Sequence, residues 1–248
     1  MIMVHGAFCG GWCFDRFRRP FETAGYAVSA PDLPGHGERR SEGVAGLSVR
    51  RYAQDIVEQV RACPEPPILL GHSMGGLVAS MAAAQTRVRA LIMLAPSPPW
   101  GVVGSAMEVA AAVGLSSEGA YWSREIPPDG QIMSSVSLDR TPRREHPRII
   151  AQMGPESGRA LYEIINWWAD PTMASMVPPG GSRAPSLVIG GGNDRIHPTS
   201  TIAQIALRTG AEMRTMDGMS HWLIGEPGWR DVARACLDWL AVQARAAA

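Results

Sequence analysis

Lysine is absent from this sequence, and all 23 of its basic residues are arginines. Any chemistry that needs a lysine amine is therefore excluded. An excess of charge of either sign is missing as well, because 23 acidic residues balance the arginines and the formal net charge is zero. This balance gives no indication of a nucleic acid, an anionic membrane or a polyanionic substrate as partner.

Cysteine is scarce, and long hydrophobic runs are lacking. The four cysteines fit no zinc-binding pattern, and a chain of 248 residues does not need disulfide bonds for stability. No window approaches the roughly 20 apolar residues of a membrane span, and no basic segment leading into a long apolar stretch opens the sequence. We therefore expect free thiols, no bound metal, no membrane span and a cytoplasmic location.

Short apolar runs alternate with longer segments of helical periodicity, in a composition that is 46% hydrophobic and 19% charged. The predicted strands cover residues 2–4, 26–30, 68–70, 90–94, 187–189 and 212–216. The predicted helices cover residues 16–24, 48–62, 74–84, 199–208 and 229–243. Strands that are apolar on both faces and joined through helices predict an α/β fold, a mostly parallel sheet with helices on both faces.

Residues 97–183 break this alternation. They contain the Pro-Pro pairs at residues 127–128 and 178–179, the Gly-Gly pair at residues 180–181 and several amphipathic pieces. We interpret them as an inserted helical cap over the carboxyl edge of the sheet. The core then consists of residues 1–96 and 184–248, within one structural domain overall.

The sequence Gly-His-Ser-Met-Gly at residues 71–75 follows an apolar strand and opens a helix. This pattern is typical of a nucleophile elbow, in which small residues on both sides of the serine permit a tight, strained turn. The turn exposes the serine hydroxyl above the sheet at the positive end of a helix. Ser73 is therefore the predicted nucleophile.

A serine hydroxyl needs a base, and the base needs an acid that orients it. Enzymes built around such a turn carry these residues in the order serine, acid, histidine. His221, the last of six histidines, follows the last predicted strand, and Asp194 follows three glycines at the end of the strand before it. We predict Asp194 as the acid, with Asp170 as the main rival and Asp217 as the lesser one.

An oxyanion hole needs two backbone N–H donors. Met74, directly after the nucleophile, supplies the first. The second comes from the loop after the first strand, where Ala7 is the preferred donor and Phe8 the alternative.

Three segments carry a resemblance to a known family. Residues 5–14, residues 31–37 (Pro-Asp-Leu-Pro-Gly-His-Gly) and the elbow resemble the α/β-hydrolase superfamily, in particular its branch of plant methyl esterases, hydroxynitrile lyases and bacterial ester hydrolases. The resemblance implies an α/β-hydrolase fold, a serine mechanism without cofactor and a cap over the site. Cyanohydrin-cleaving members carry a lysine beside the catalytic histidine. Here Trp222 occupies that position, which argues against lyase chemistry.

The predicted cap is rich in tryptophan and methionine and has few polar anchors. This composition predicts an apolar substrate pocket, lined by Phe8 and by one of the adjacent residues Trp167 and Trp168. We therefore expect cleavage of small to medium apolar carboxylic esters. A thioesterase, a lactonase or a carbon–carbon bond hydrolase would use the same triad, and a ligand receptor of the same fold with little turnover is the alternative from another class.

Overall fold

The computed structural model describes residues 1–117 and 119–246. In chain order, its strands are β1 (Ile2–Val4), β2 (Ile68–His72), β3 (Ala90–Leu94), β4 (Glu125–Ile126), β5 (Glu156–Ser157), β6 (Ser186–Gly191) and β7 (Glu212–Met216). Its α-helices are α1 (Arg19–Thr23), α2 (Val49–Ala62), α3 (Met74–Ala83), α4 (Ala106–Ser117), α5 (Gly130–Ile132), α6 (His146–Ile150), α7 (Gly158–Ile165), α8 (Thr199–Thr209) and α9 (Trp229–Ala246). Five strands form a parallel sheet in the order β1-β2-β3-β6-β7.

Side chains of the central strands alternate between two hydrophobic cores because successive residues of a strand point to opposite faces. Leu69, Leu91 and Val188 enter the core beneath α2, α3 and α8. Leu70, Ile92 and Ile189 enter the other core, which α1 and α9 cover. The strands are therefore apolar on both faces, and the α/β-hydrolase fold predicted from the sequence is confirmed.

Two predicted elements are shorter in the structure. The strand predicted at residues 26–30 is reduced to a single bridge between Ser29 and Ile2, because β1 has only three residues with which to pair. The helix predicted from Arg16 begins at Arg19, so that Pro20 lies in the first turn, where its missing N–H costs no hydrogen bond.

The segment between β3 and β6, residues 95–185, supplies α4 to α7 and an antiparallel pair formed by β4 and β5. We refer to it as the intervening segment. Gly154 N–H donates to the carbonyl oxygen of Phe8 over 2.9 Å, so the segment is bonded directly to the loop after β1. Among the described residues, no helix is long and apolar enough to cross a membrane.

A buried ionic network joins the intervening segment to the rest of the molecule. The carboxylate of Glu156 accepts hydrogen bonds from His36 Nε2 at 3.1 Å and from the Tyr52 hydroxyl at 2.7 Å. His36 Nδ1 faces the carbonyl oxygen of Pro34 at 3.0 Å, so both ring nitrogens donate and the ring is charged. Burial opposes both charges, but their mutual attraction and hydrogen bonds outweigh it, so the pKa of His36 is raised and that of Glu156 is lowered.

Replacing Glu156 with glutamine should lower the free energy of unfolding by about 3 to 5 kcal/mol, because a buried imidazolium loses its charge partner. The Glu156 contribution is lost as the pH falls through its lowered pKa, and the His36 contribution is lost as the pH rises through its raised pKa. The difference from wild type should therefore be largest between pH 4.5 and 6.5, the ordinary values of the two groups. Urea unfolding across this range measures it. Glu58→Gln, at an exposed residue of α2, is the control, and an equal loss in both variants would contradict the prediction.

Candidate active site

Ser73 lies in the tight turn between β2 and α3, with backbone angles φ 54° and ψ −125°. A residue other than glycine is strained in this left-handed region. A Cβ at Gly71 would lie 2.1 Å from the carbonyl oxygen of Gly75, and one at Gly75 would lie 2.1 Å from the carbonyl oxygen of Val4. The turn therefore closes only because both neighbours are glycine, as the elbow motif predicts.

Ser73, His221 and Asp194 form a continuous chain of hydrogen bonds. His221 Nδ1 lies 2.9 Å from Oδ2 of Asp194. A carboxylate only accepts, so Nδ1 carries the ring proton and Nε2 is free to accept. The Ser73 hydroxyl lies 3.0 Å from Nε2 and donates to it.

The loop after β6 orients the carboxylate of Asp194. Its other oxygen, Oδ1, accepts the backbone N–H groups of Ile196 at 2.8 Å and His197 at 3.0 Å. Burial raises the pKa of Asp194, but attraction to His221 and these hydrogen bonds outweigh burial and lower it. Asp194 is therefore an anion throughout the neutral range.

The rival acids lie elsewhere. Asp170 is buried but caps its own turn, where its oxygens accept the backbone N–H groups of Thr172 and Ala174. Asp217 is exposed after β7. Neither carboxylate is hydrogen-bonded to His221 in the part of the chain that the structure describes, whereas Asp194 is.

His72 supports the loop that carries His221, a role that sequence reasoning missed. Its Nε2–H donates to the carbonyl oxygen of His221 over 2.8 Å. Burial lowers the pKa of His72 to about 3, so the ring is neutral. Glu226 also holds this loop, because its Oε1 accepts the backbone N–H of Ser220 at 2.7 Å. No sequence signal gives the contact of His72, since it joins positions 149 residues apart.

Ala7, Phe8 and Met74, whose backbone N–H groups are the predicted oxyanion donors, all line the cavity that contains Ser73. Within residues 1–117 and 119–246, none of the three donates a hydrogen bond to another protein group. Phe8 has a φ of 64°, which turns the backbone sharply after Ala7. Ala7 and Phe8 therefore both remain candidates for the second oxyanion donor, with Met74 as the candidate for the first.

The cavity above Ser73 has a volume of about 920 Å³. Its walls come from the loop after β1 and from the intervening segment, chiefly from α4, α7 and the turns that follow β4. The larger apolar side chains of these walls include Phe8, Met107, Leu115, Ile126, Ile132, Met133, Val136, Met153, Leu161, Ile164 and Ile165.

Trp167 and Trp168 are not among these wall residues, and the sequence-based assignment of one of them to the pocket is corrected. They form a short 3₁₀ turn after α7, beyond the part of that helix that faces the cavity. Trp167 packs edge-on against Trp100, and Trp168 is 71% exposed. Phe8, in contrast, lines the cavity.

Donor atoms of Asp194, His197 and His221 lie within 4.8 Å of one another, close enough to hold a metal ion. The carboxylate of Asp194 and the ring of His221 are already bonded to each other, and the ring of His197 is bonded to Ala95 and Glu108. The donor atoms of these three residues therefore already have partners within the protein.

A parallel sheet with a serine elbow, a histidine loop and an acid loop at its carboxyl edge defines a hydrolase of the esterase type. The family model described as "Alpha/beta hydrolase family" matches residues 1–235, and the chain belongs to that family.

Known relatives agree with this class. The chain is 27% identical over 250 residues to "Phospholipase YtpA" of Bacillus subtilis (strain 168), a match that covers 95% of this chain and 92% of that protein. It is also 32% identical to "Methylesterase 3" of Arabidopsis thaliana, over 85 residues that make up 33% of this chain and 32% of the other.

Solved structures share the fold. A methylesterase, MES16 from Arabidopsis, superposes with a TM-score of 0.72 at 15% identity and covers 97% of this chain and 98% of its own. A monoacylglycerol lipase of Paleococcus ferrophilus gives 0.70 at 19% identity, over 98% of this chain and 93% of its own.

Proposed function

We propose that this chain is a serine hydrolase that cleaves small to medium apolar carboxylic esters through an acyl-enzyme intermediate. The observation that carries the proposal is the hydrogen-bonded chain from Ser73 through His221 to Asp194, with its serine end in an apolar cavity of about 920 Å³. A chain with only a binding role needs no such arrangement of nucleophile, base and acid.

In the proposed mechanism, His221 Nε2 takes the Ser73 proton while Oγ attacks the ester carbonyl carbon. The N–H groups of Met74 and of Ala7 or Phe8 donate to the oxyanion that forms, and Asp194 stabilises the new imidazolium. When the tetrahedral intermediate collapses, His221 gives its proton to the leaving alcohol. Water then attacks the acyl-enzyme with His221 again as base, and the free acid leaves. No step requires a metal ion or an organic cofactor.

We further propose that residues 97–183 act as a cap that forms the acyl or alcohol pocket. The wall residues from α4 and α7 lie in this range and are mostly aliphatic or thioether side chains. Binding would then come mainly from apolar burial, which contributes about 0.8 kcal/mol for each methylene.

A series of nitrophenyl esters of increasing acyl length tests this function. We expect kcat/KM to rise about fourfold per added methylene until the cavity is full. Leu161→Ala removes a side chain from the cavity wall and should move the optimum to longer acyl groups, whereas Trp168→Ala, on an exposed residue outside the cavity, should not.

The series has clear outcomes against the proposal. A flat length profile in wild type and Leu161→Ala would refute the pocket assignment. A higher kcat/KM for matched thioesters or lactones than for esters would show that the proposed substrate class is wrong. Loss of activity in a chelator, restored by a divalent ion, would contradict the mechanism itself.

A further inference from the structure

A second imidazole–carboxylate pair lies next to the proposed triad. His197 and Glu108 are 2% and 8% exposed, and Nε2 of the histidine lies 3.4 Å from Oε1 of the carboxylate. The ring of His197 packs edge-on against the ring of His221, with a centroid separation of 5.1 Å. The proposed mechanism uses neither group.

The ring of His197 is held at both nitrogens. Nδ1 lies 2.8 Å from the carbonyl oxygen of Ala95, just after β3, and Nε2 faces Glu108. The carbonyl oxygen only accepts, so Nδ1 carries a proton, and the carboxylate beside Nε2 favours a proton on that nitrogen as well. Burial lowers the pKa of His197, but the charge and hydrogen bond of Glu108 outweigh it and raise the pKa.

The main chain of His197 connects this ring to the acid. Its N–H is one of the two groups that bond Oδ1 of Asp194, three residues earlier in the same loop. The ring thus fixes the end of the acid loop to the residue after β3, and Ala95 N–H is in turn bonded to Ile189 of β6 at 2.7 Å. Movement of the His197 ring would move a donor that orients Asp194.

Glu108 belongs to α4, a wall of the cavity. At the start of that helix, Ser105 N–H donates to Oε2 of Glu108 and Glu108 N–H donates to the Ser105 hydroxyl, a reciprocal cap. A helix cap explains one carboxylate oxygen. It does not explain why the other oxygen is buried against His197, 89 positions away in the sequence.

We propose that His197 is a positioning residue of the reaction, which keeps Asp194 aligned as an imidazolium clamped between Ala95 and Glu108. Glu108 has a second effect, because it offsets a positive charge that would otherwise oppose the formation of the His221 imidazolium. The charged or titratable groups around His197 are Glu108 from α4, Asp194 from its own loop, His221 from the loop after β7 and His72 from the elbow.

Glu108→Gln tests the inference because glutamine keeps the shape and a cap acceptor but loses the charge. We expect kcat to fall about 10- to 100-fold with little change in KM, since the acid loop loses its fixed end. The pH profile of kcat/KM should gain a second ionisation, because the pKa of His197 falls when the charge of Glu108 no longer opposes the effect of burial. His197→Asn should lower kcat similarly without the added ionisation.

Asp170→Asn is the matched control, since Asp170 is also a buried carboxylate that caps backbone N–H groups in the intervening segment. It should lower the melting temperature and leave kcat and the pH profile as in wild type. Changes in melting temperature alone for Glu108→Gln would reduce the pair to a structural role and overturn the inference.

The inference rests on the proposed serine mechanism, but one readout does not need turnover. Long-range ¹H–¹⁵N spectra of the histidine rings should show both His197 nitrogens protonated at pH 7.5 in wild type and only one in Glu108→Gln. A neutral His197 in wild type would overturn the inference. Failure of wild type to react with a serine-directed phosphonate would instead overturn the proposed function and leave this measurement intact.

Discussion

Replacing Ser73 with alanine is expected to abolish ester hydrolysis, with kcat lowered by about 10⁴- to 10⁶-fold. The hydroxyl is the proposed nucleophile, and no other serine has its oxygen hydrogen-bonded to Nε2 of His221 among the described residues. Residual hydrolysis would come from the oxyanion donors and from substrate binding alone.

The fold should survive this substitution. Alanine keeps the Cβ that serine places at φ 54°, so the strain of the elbow is unchanged, and only one hydrogen bond is lost. Circular dichroism and a melting curve check this, while a fluorophosphonate probe should label wild type and leave Ser73→Ala unlabelled. Ser80→Ala, in the buried helix α3, is the control and should label normally, because the Ser80 hydroxyl has no hydrogen-bond partner among the residues that the structure describes. Labelling of Ser73→Ala at the wild-type rate would place the nucleophile elsewhere.

Replacing Asp194 with asparagine should lower kcat by about 10⁴-fold. The amide can still accept the N–H groups of Ile196 and His197, so the loop keeps its shape. The anion that faces His221 is lost, however, and the amide N–H₂ can drive the imidazole into the tautomer that protonates Nε2. That tautomer cannot accept the Ser73 proton.

Single-turnover acylation, measured from pH 6 to 9, tests the role of this acid because it isolates the step in which His221 acts as base. Asp170→Asn should acylate at the wild-type rate, since Asp170 only caps its own turn. An active Asp194→Asn together with an inactive Asp170→Asn would move the acid into the intervening segment.

Local sequence rules were sufficient to predict that Ser73, Asp194 and His221 lie together. The elbow around Ser73 depends on neighbouring residues, because the crowding at Gly71 and Gly75 forbids any Cβ. Asp194 and His221 follow the ends of successive parallel strands, and such ends meet at one edge of a sheet. Strand periodicity and motif order therefore predict which residues come together.

The residues that line the pocket could not be predicted from local sequence patterns. The tryptophan content of residues 97–183 suggested that Trp167 or Trp168 faces the substrate, but both lie in a turn beyond the cavity wall. The actual wall includes aliphatic side chains from α7, such as Leu161, whose direction follows from how that helix docks. The pairing of Glu108 with His197 escaped prediction for the same reason, since it is a tertiary contact between helix α4 and the loop after β6.

The bond from Gly154 to Phe8 limits how this enzyme can be re-engineered. It ties the intervening segment to the very loop that presents Ala7 and Phe8 to the cavity, and a Cβ at Gly154 would lie 2.6 Å from the Arg40 guanidinium. The segment is thus not an exchangeable module placed over a finished catalytic core. A chimera that receives the corresponding segment of another hydrolase must therefore keep a hydrogen bond equivalent to the one from Gly154 to Phe8. Without it, the new pocket would be gained but the loop that carries Ala7 and Phe8 would lose its support.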